Sequence, residues 1–364
     1  MAQRVYNFSA GPAMLPLPAL EEAQRDLVSL PGVGASVMEI SHRSKTFQAI
    51  IDQAEANLRT LLAIPQNYRV LFLQGGAQMQ FAMIPMNFLR GSGKVADYIV
   101  AGTWGKTAIK QAKTQGEVRA AFDGQATNFD HMPSQDELQL SADAAYVHMT
   151  SNETIQGIQF ADEPHVGDVP LVCDASSDFL SRPVPIEKYG IFYACAQKNA
   201  GPAGVTVVII RDDLVQRCPE DLPAMLSYKA FAEAGSLYNT PPTFAIYMVK
   251  LVTDWLLRDM GGLGQMAAIN REKAALLYDV IDASGGFYEG HAQPQCRSMM
   301  NVAFRLADPS LDEPFLTQAA ERGLEALKGH RSVGGFRASI YNAMPVEGVT
   351  TLADFMKAFQ AQRS

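Results

Sequence analysis

The chain has 364 residues, of which 48% are hydrophobic; this is enough for one large domain, or a large one with a smaller companion, and excludes general disorder. A net charge of −8 argues against a general nucleic-acid or anionic-membrane surface and points to a small-molecule partner. Four scattered cysteines without C-x-x-C spacing or a secretory leader, and apolar runs far below the ~20 residues of a membrane span, predict a soluble protein of the reducing cytoplasm without disulfides or a zinc site.

In chain order, the first fifteen residues hold turn formers and little periodicity, and are expected to pack across a smaller domain near the site. "SKTFQAIIDQAEANLRTLLAI" places Phe47, Ile50, Ile51, Ala54, Leu58, Leu61 and Leu62 at helical spacing, and "RVLFLQ" follows as a short buried strand. "AQMQFAMIPMNFL" then reads as helix, "VADYIV" as strand and "WGKTAIKQAKTQ" as helix. "AAYVHMT", "PLVCDA", "FYACA" and "VTVVII" follow as strands. This alternation predicts an α/β fold with a mostly parallel sheet covered by helices on both faces, whose ligands sit at the carboxyl ends of the strands. "TFAIYMVKLVTDWLL" reads as a long amphipathic helix, and "GGLG" at 261–264 breaks it before a further helix in "QMAAINREKAALLYDVI". "MNVAFRL" and "FRASIY" read as strands of a smaller α/β unit. The expected division is a large domain over 16–260 and a small one over 261–364, joined by the N-terminal segment 1–15.

"FYACAQKNAGPAG" places Lys198 between two apolar runs. A lysine there is either a solvated turn residue or an amine made nucleophilic by its surroundings, and the commonest covalent partner of such an amine is a carbonyl, including that of pyridoxal phosphate. That cofactor needs an acid beside its ring nitrogen, backbone N–H donors for its phosphate and a ring to stack on. Asp174 at the end of "LVCD", the Gly75-Gly76 turn opening a helix near Ala77, and Trp104 in "AGTWGK" supply these. Each has an ordinary alternative: Asp174 as a turn cap with Ser176 and Ser177, the glycines as a plain turn, Trp104 as packing. His42-Arg43 and His330-Arg331 form two cationic pairs suited to a phosphate dianion or a second carboxylate. In "GFRASIY" strand alternation turns Arg337 away from Phe336 and Ala338, either as a clamp on an α-carboxylate or as an edge-strand ion pair.

The strings "NFSAGPAMLP", "EISHRSKTF", "LQGGA", "TSNETIQGIQF", "DASSDFLSRP", "AQKNAGPAG", "YNTPPTFAIY" and "GHRSVGGFRASIYNAM" together resemble the class V aminotransferase group of the fold-type I pyridoxal-phosphate enzymes over essentially the whole chain. Within that group the likeness is greater to the branch that makes phosphoserine. The resemblance implies a homodimeric, PLP-dependent transaminase of serine biosynthesis, taking the amino group from L-glutamate to 3-phosphohydroxypyruvate; similar enzymes also aminate a phosphorylated four-carbon oxo acid on the pyridoxine route. It implies that Lys198 forms the Schiff base with pyridoxal 5'-phosphate and that Asp174 partners the pyridinium. Trp104 stacks on the ring, and Thr154 hydrogen-bonds its oxygen. Gly76, Ala77 and Gln197 contact the phosphate, with Asn239 and Thr240 reaching it from the other subunit. Ser9, His42, Arg43, His330, Arg331 and Arg337 are the implied substrate-binding residues. Ala77 and Gln78 stand where some members carry glycine and arginine. A cysteine desulfurase of the same fold is the competing expectation; it needs a reactive loop cysteine, for which Cys296 beside Arg297 is the candidate.

Overall fold

The computed structural model describes residues 4–363; residues 1–3, which begin the N-terminal segment, and residue 364 lie outside the described residues. A short strand β1 (Tyr6–Asn7) precedes helices α1 (Leu17–Asp26) and α2 (Lys45–Leu62). Next come β2 (Tyr68–Leu73), α3 (Gly76–Phe88), β3 (Ala96–Val100), α4 (Thr103–Ala112), β4 (Val118–Asp123) and β5 (Val147–Thr150). The small hairpin β6 (Asn152–Glu153) and β7 (Ile158–Gln159) leads to β8 (Leu171–Asp174), β9 (Ile191–Cys195) and β10 (Thr206–Arg211). Helices α5 (Asp212–Gln216), α6 (Tyr228–Glu233), α7 (Thr243–Arg258) and α8 (Leu263–Ala283) follow. The chain ends with β11 (Tyr288–Gly290), β12 (Asn301–Leu306), α9 (Asp312–Ala320), β13 (Leu324–Glu325), β14 (Phe336–Ser339) and α10 (Val346–Ala361).

The seven-stranded sheet has the order β2-β10-β9-β8-β5-β3-β4. The segments "VHMT", "LVCD" and "IFYAC" are buried at every position, as strands covered on both faces must be. β3, β4, β5, β8 and β9 run parallel, whereas β10 is antiparallel to both β9 and β2. The reason for the one reversal is length: residues 196–205 are too few to hold a crossover helix, so the chain turns back on itself there, with Lys198 in the turn. α2 begins where the Ser44 hydroxyl accepts from Phe47 N at 3.1 Å, ends on Ala63 in the left-handed region, and buries all seven of its periodic apolar residues. Edge strand β4 has no counterpart in the sequence reading, because its largely exposed residues give no apolar pattern.

Two apolar clusters line the two faces of the large sheet, and a third surrounds the three-stranded sheet β11-β12-β14. α8 contributes Leu263 and Met266 to the first group and Leu277 and Ile281 to the last, so it bridges them. The N-terminal segment is tied to the small sheet's layer: β1 pairs with β13, and Phe8 is fully buried in that cluster. No helix among the described residues is long and apolar enough to cross a membrane.

Candidate active site

Because β2, β3, β5, β8 and β9 point the same way, the reversals that follow them open at one sheet edge. They enclose a cavity of about 210 Å³ walled by Gly76, Ala77, Trp104, Thr154, Asp174, Gln197 and Lys198, so the structure brings together seven residues singled out in the sequence. Register aligns Asp174 with Thr150 on one side and Tyr193 on the other, which sets the carboxylate at the cavity's depth. One Asp174 oxygen accepts from Ser176 N at 2.9 Å. Burial raises the Asp174 pKa, opposed by the Ser176 hydrogen bonds and the Lys198 charge, so this acid is held ready for a cationic partner. Lys198 Nζ donates to Thr154 Oγ1 at 2.7 Å and stands 5.8 Å from the Trp104 ring centroid. Gly75 and Gly76 both have positive φ, and α3 starts at Gly76, so unpaired first-turn N–H groups face the cavity rim.

The substrate-side residues are arranged unequally. Half-buried Arg337 on β14 donates from Nη1 to the Thr154 carbonyl at 3.4 Å and has no ion pair among the described residues. Desolvation lowers its pKa. His330 likewise has its pKa lowered, first by burial and then by the Arg337 and Arg331 charges, which favours its neutral form beside those two guanidiniums. Its Nδ1 is 2.8 Å from Ser332 Oγ. Arg331 and Arg43 are exposed, and neither joins an ion pair among the described residues. His42 Nε2 is buried without a hydrogen-bond partner, and neither it nor Arg43 lines the cavity of its own chain. Asn239 and Thr240 also stay outside that cavity: Asn239 Nδ2 reaches Gln74 Oε1 at 3.3 Å, and Gln74 Nε2 donates to the Thr240 carbonyl at 3.3 Å. Ser9 Oγ accepts from Gly11 N at 3.3 Å, and Gly11 passes so close to Lys198 that an added Cβ would lie 3.4 Å from its Cγ. The N-terminal segment therefore lies over the lysine.

Sequence reading passed over Glu153, which is fully buried and accepts from Trp104 N at 2.9 Å and Gly105 N at 2.8 Å. Burial pushes its pKa up to about 7 against the pull of those two N–H groups. Asn152, also missed, donates to Ser177 Oγ at 2.7 Å and to Asn301 Oδ1 at 2.8 Å, linking the cavity to β12. Glu153 adjoins Thr154 in "SNET" and Asn152 lies two residues before it, and that proximity was the available signal. Cys296 does not meet the needs of a desulfurase: it is 6% exposed, burial raises its pKa, and Arg297 is committed to Asp282 at 2.6 and 2.7 Å.

The residues present fit pyridoxal phosphate. An acid lies at depth, an amine and an aromatic ring stand at the sides, and a helix start lies at the rim. Trp104 Nε1 and Thr150 Oγ1 are buried without partners among the described residues, so the cavity holds polar atoms that the chain itself does not satisfy. The model for aminotransferase class-V matches residues 5–352. A phosphoserine aminotransferase of Rhodopirellula baltica is 56% identical over 363 residues, covering 100% of this chain and 96% of that one. The solved phosphoserine aminotransferase of Bacillus circulans subsp. alkalophilus superposes with a TM-score of 0.97 at 50% identity, over 99% of each chain. A PLP-bound phosphoserine aminotransferase from Trichomonas vaginalis gives a TM-score of 0.90 at 42% identity, over 97% of this chain and 100% of that one.

Proposed function

The chain belongs to the class-V aminotransferases, and from that premise we propose that it is a PLP-dependent phosphoserine aminotransferase. It moves the amino group of L-glutamate reversibly to 3-phosphohydroxypyruvate, giving O-phospho-L-serine and 2-oxoglutarate. The observation that carries this reading is the attachment of Lys198 and Arg337 to the two sides of one residue, Thr154, by its hydroxyl and its carbonyl. An amine that exchanges a proton and a guanidinium that grips a carboxylate are thereby held at a fixed separation, as an α-amino acid requires.

When bound, pyridoxal phosphate supplies the electron sink that makes the substrate's Cα proton acidic. The chain does the rest. Asp174 would keep a positive charge on the ring nitrogen, and Lys198 would take the substrate's Cα proton and deliver it to the cofactor's C4′ carbon. Trp104 would cover the ring face and Thr154 would hold its oxygen. Gly76, Ala77 and Gln197 would hold the phosphate, with Asn239 and Thr240 supplied by a second copy of the chain; in support, Gln74, their partner within the chain, directly follows β2 and precedes the Gly75-Gly76 turn. Arg337 clamps the α-carboxylate, and His42, Arg43, His330 and Arg331 take the distal phosphate or carboxylate, with Ser9 at the N-terminal cover. The working unit is a homodimer of chains divided at residues 260 and 261, and four free buried cysteines fit a cytoplasmic setting.

The test is to assay the purified protein with glutamate against 3-phosphohydroxypyruvate, its unphosphorylated analogue and a phosphorylated four-carbon oxo acid. Strong preference for the first over the second supports the reading, and equal use of both overturns it. The third measures the reach toward the pyridoxine route.

A further inference from the structure

Three parts of the site converge on the hairpin β6–β7. Its Thr154 holds Lys198 and Arg337, while Glu153 and Gln156 hold the segment that carries Trp104. Glu153 accepts with both oxygens from consecutive N–H groups, those of Trp104 and Gly105, in the first turn of α4. Gln156 donates to Thr103 Oγ1 at 2.8 Å and accepts from Thr103 N at 3.4 Å. Two side chains thus take up every backbone N–H from Thr103 to Gly105. The glycines flanking Trp104 are shaped around the same carboxyl. A Cβ on Gly102 would lie 2.5 Å from Glu153 Cδ and 2.7 Å from its Oε2, and one on Gly105 would lie 3.0 Å from the Ile99 carbonyl and 3.3 Å from Glu153 Oε1.

We propose that Glu153 is a positioning residue for the reaction: its carboxylate, forked onto the Trp104 and Gly105 amides, fixes the backbone from which the Trp104 ring departs over the cofactor cavity and locks it to the hairpin that carries Thr154. A need for helix capping alone does not account for it, because an exposed acid in the first turn does that without the desolvation cost of a fully buried one. What burial adds is immobility. The carboxyl is wedged against Gly102 and cannot swing, so the peptide plane of Trp104, and with it the ring's departure angle, has one setting. Gln156 gives the preceding residue the same treatment. The stacking ring, the lysine and the α-carboxylate clamp are then referenced to four consecutive residues, 153–156, rather than to three separate loops.

This inference rests on reading the Lys198 cavity as the pyridoxal-phosphate site, and its test separates the two. The apo-protein is titrated with pyridoxal phosphate in a Trp255→Phe background, which leaves Trp104 as the only tryptophan, following Trp104 fluorescence quenching and the circular dichroism of the bound cofactor. Failure of the parent protein to bind and quench would refute the cavity assignment itself. Glu153→Gln keeps the volume but turns an amide NH2 toward one of the two N–H donors. It is expected to stay folded, bind the cofactor about tenfold more weakly and show altered dichroism, since losing one charge-assisted bond has about that effect. Gly102 has φ −166°, an extended conformation open to alanine, so Gly102→Ala acts only by displacing the Glu153 carboxyl and should reproduce the defect. In a Glu153→Ala background the same Gly102→Ala change should cost nothing further. Parent-like affinity and quenching in Glu153→Gln would overturn the proposal, as would independent, multiplying losses from Gly102→Ala and Glu153→Ala. If Glu153→Ala does not fold, the same cycle is run with Gly102→Ala and Glu153→Gln, where non-additive losses support the proposal and multiplying ones overturn it.

Discussion

Replacing Arg337 by methionine separates function from stability more sharply than any other change at the site. The guanidinium is half-buried, pairs with no carboxylate among the described residues, and makes one long bond to the Thr154 carbonyl at 3.4 Å. Folding therefore bears its desolvation without a matching partner, which only a substrate carboxylate provides. Methionine keeps most of the apolar stem and removes the charge. A forked contact loses two charge-assisted bonds of roughly 1.5–3 kcal/mol each, and about 1.4 kcal/mol is tenfold, so kcat/KM should fall about a hundred- to ten-thousandfold. The apo-protein should be no less stable than the parent, and up to about 1 kcal/mol more stable, as is common where a functional charge is held unpaired. The assay is kcat/KM with phosphoserine, glutamate and alanine, together with urea unfolding of the apo-protein. All three substrates present an α-carboxylate, so all three should lose alike. A drop below tenfold together with a stability loss above about 2 kcal/mol would refute the reasoning and make Arg337 structural; so would sparing of alanine.

Arg331→Ala should instead lose about ten- to a hundredfold with phosphoserine and glutamate and leave alanine, which has no distal anion, nearly unchanged; equal losses with all three would assign Arg331 a structural role. Asp174→Asn should fold normally but lose most turnover and shift the bound cofactor's absorbance, because an amide cannot hold the ring nitrogen protonated; parent rates would contradict this. Mixing Lys198→Ala dimers with dimers carrying a disruptive change at Thr240 should restore activity after subunit exchange, whereas no recovery despite demonstrated exchange would mean that each chain builds its own site. Fully buried Lys273 donates to the carbonyls of Ile340, Tyr341 and Met344 at 2.7–3.1 Å, so Lys273→Met should cost roughly 2–5 kcal/mol in urea unfolding. Burial lowers the Lys273 pKa from 10.5 to about 7, so between those values the unfolded chain binds a proton that the folded one does not. The burial penalty is thus full below about pH 7 and relieved as pH rises, and the parent's advantage over Lys273→Met should widen between pH 7 and 9; a narrowing would contradict the assignment.

The chain alone determined the α/β class and the order of most elements, because these depend on local and periodic signals; of the cavity wall, Thr154 and Gln197 were legible only through the family resemblance. Helix α2 is announced by its apolar spacing, and the buried strands by unbroken runs such as "LVCD" and "FYAC". The strands' carboxyl ends carry Asp174, Lys198 and the Gly75-Gly76 turn, and parallel packing alone brings such ends together. Tertiary structure decided what had no local signal. Edge strand β4 buries only one of its six residues, and β10 runs backward for want of crossover length, which an apolar run does not reveal. The cysteine beside Arg297 reads as a loop thiol but is buried, because burial belongs to the packing around a residue and not to its neighbours in sequence. Glu153 is the clearest case. Beyond its place beside Thr154, an acid inside "SNET" carries no sign of burial until the fold brings a loop 49 residues away down onto it, and only then do two amides and a missing Cβ give that carboxyl its place.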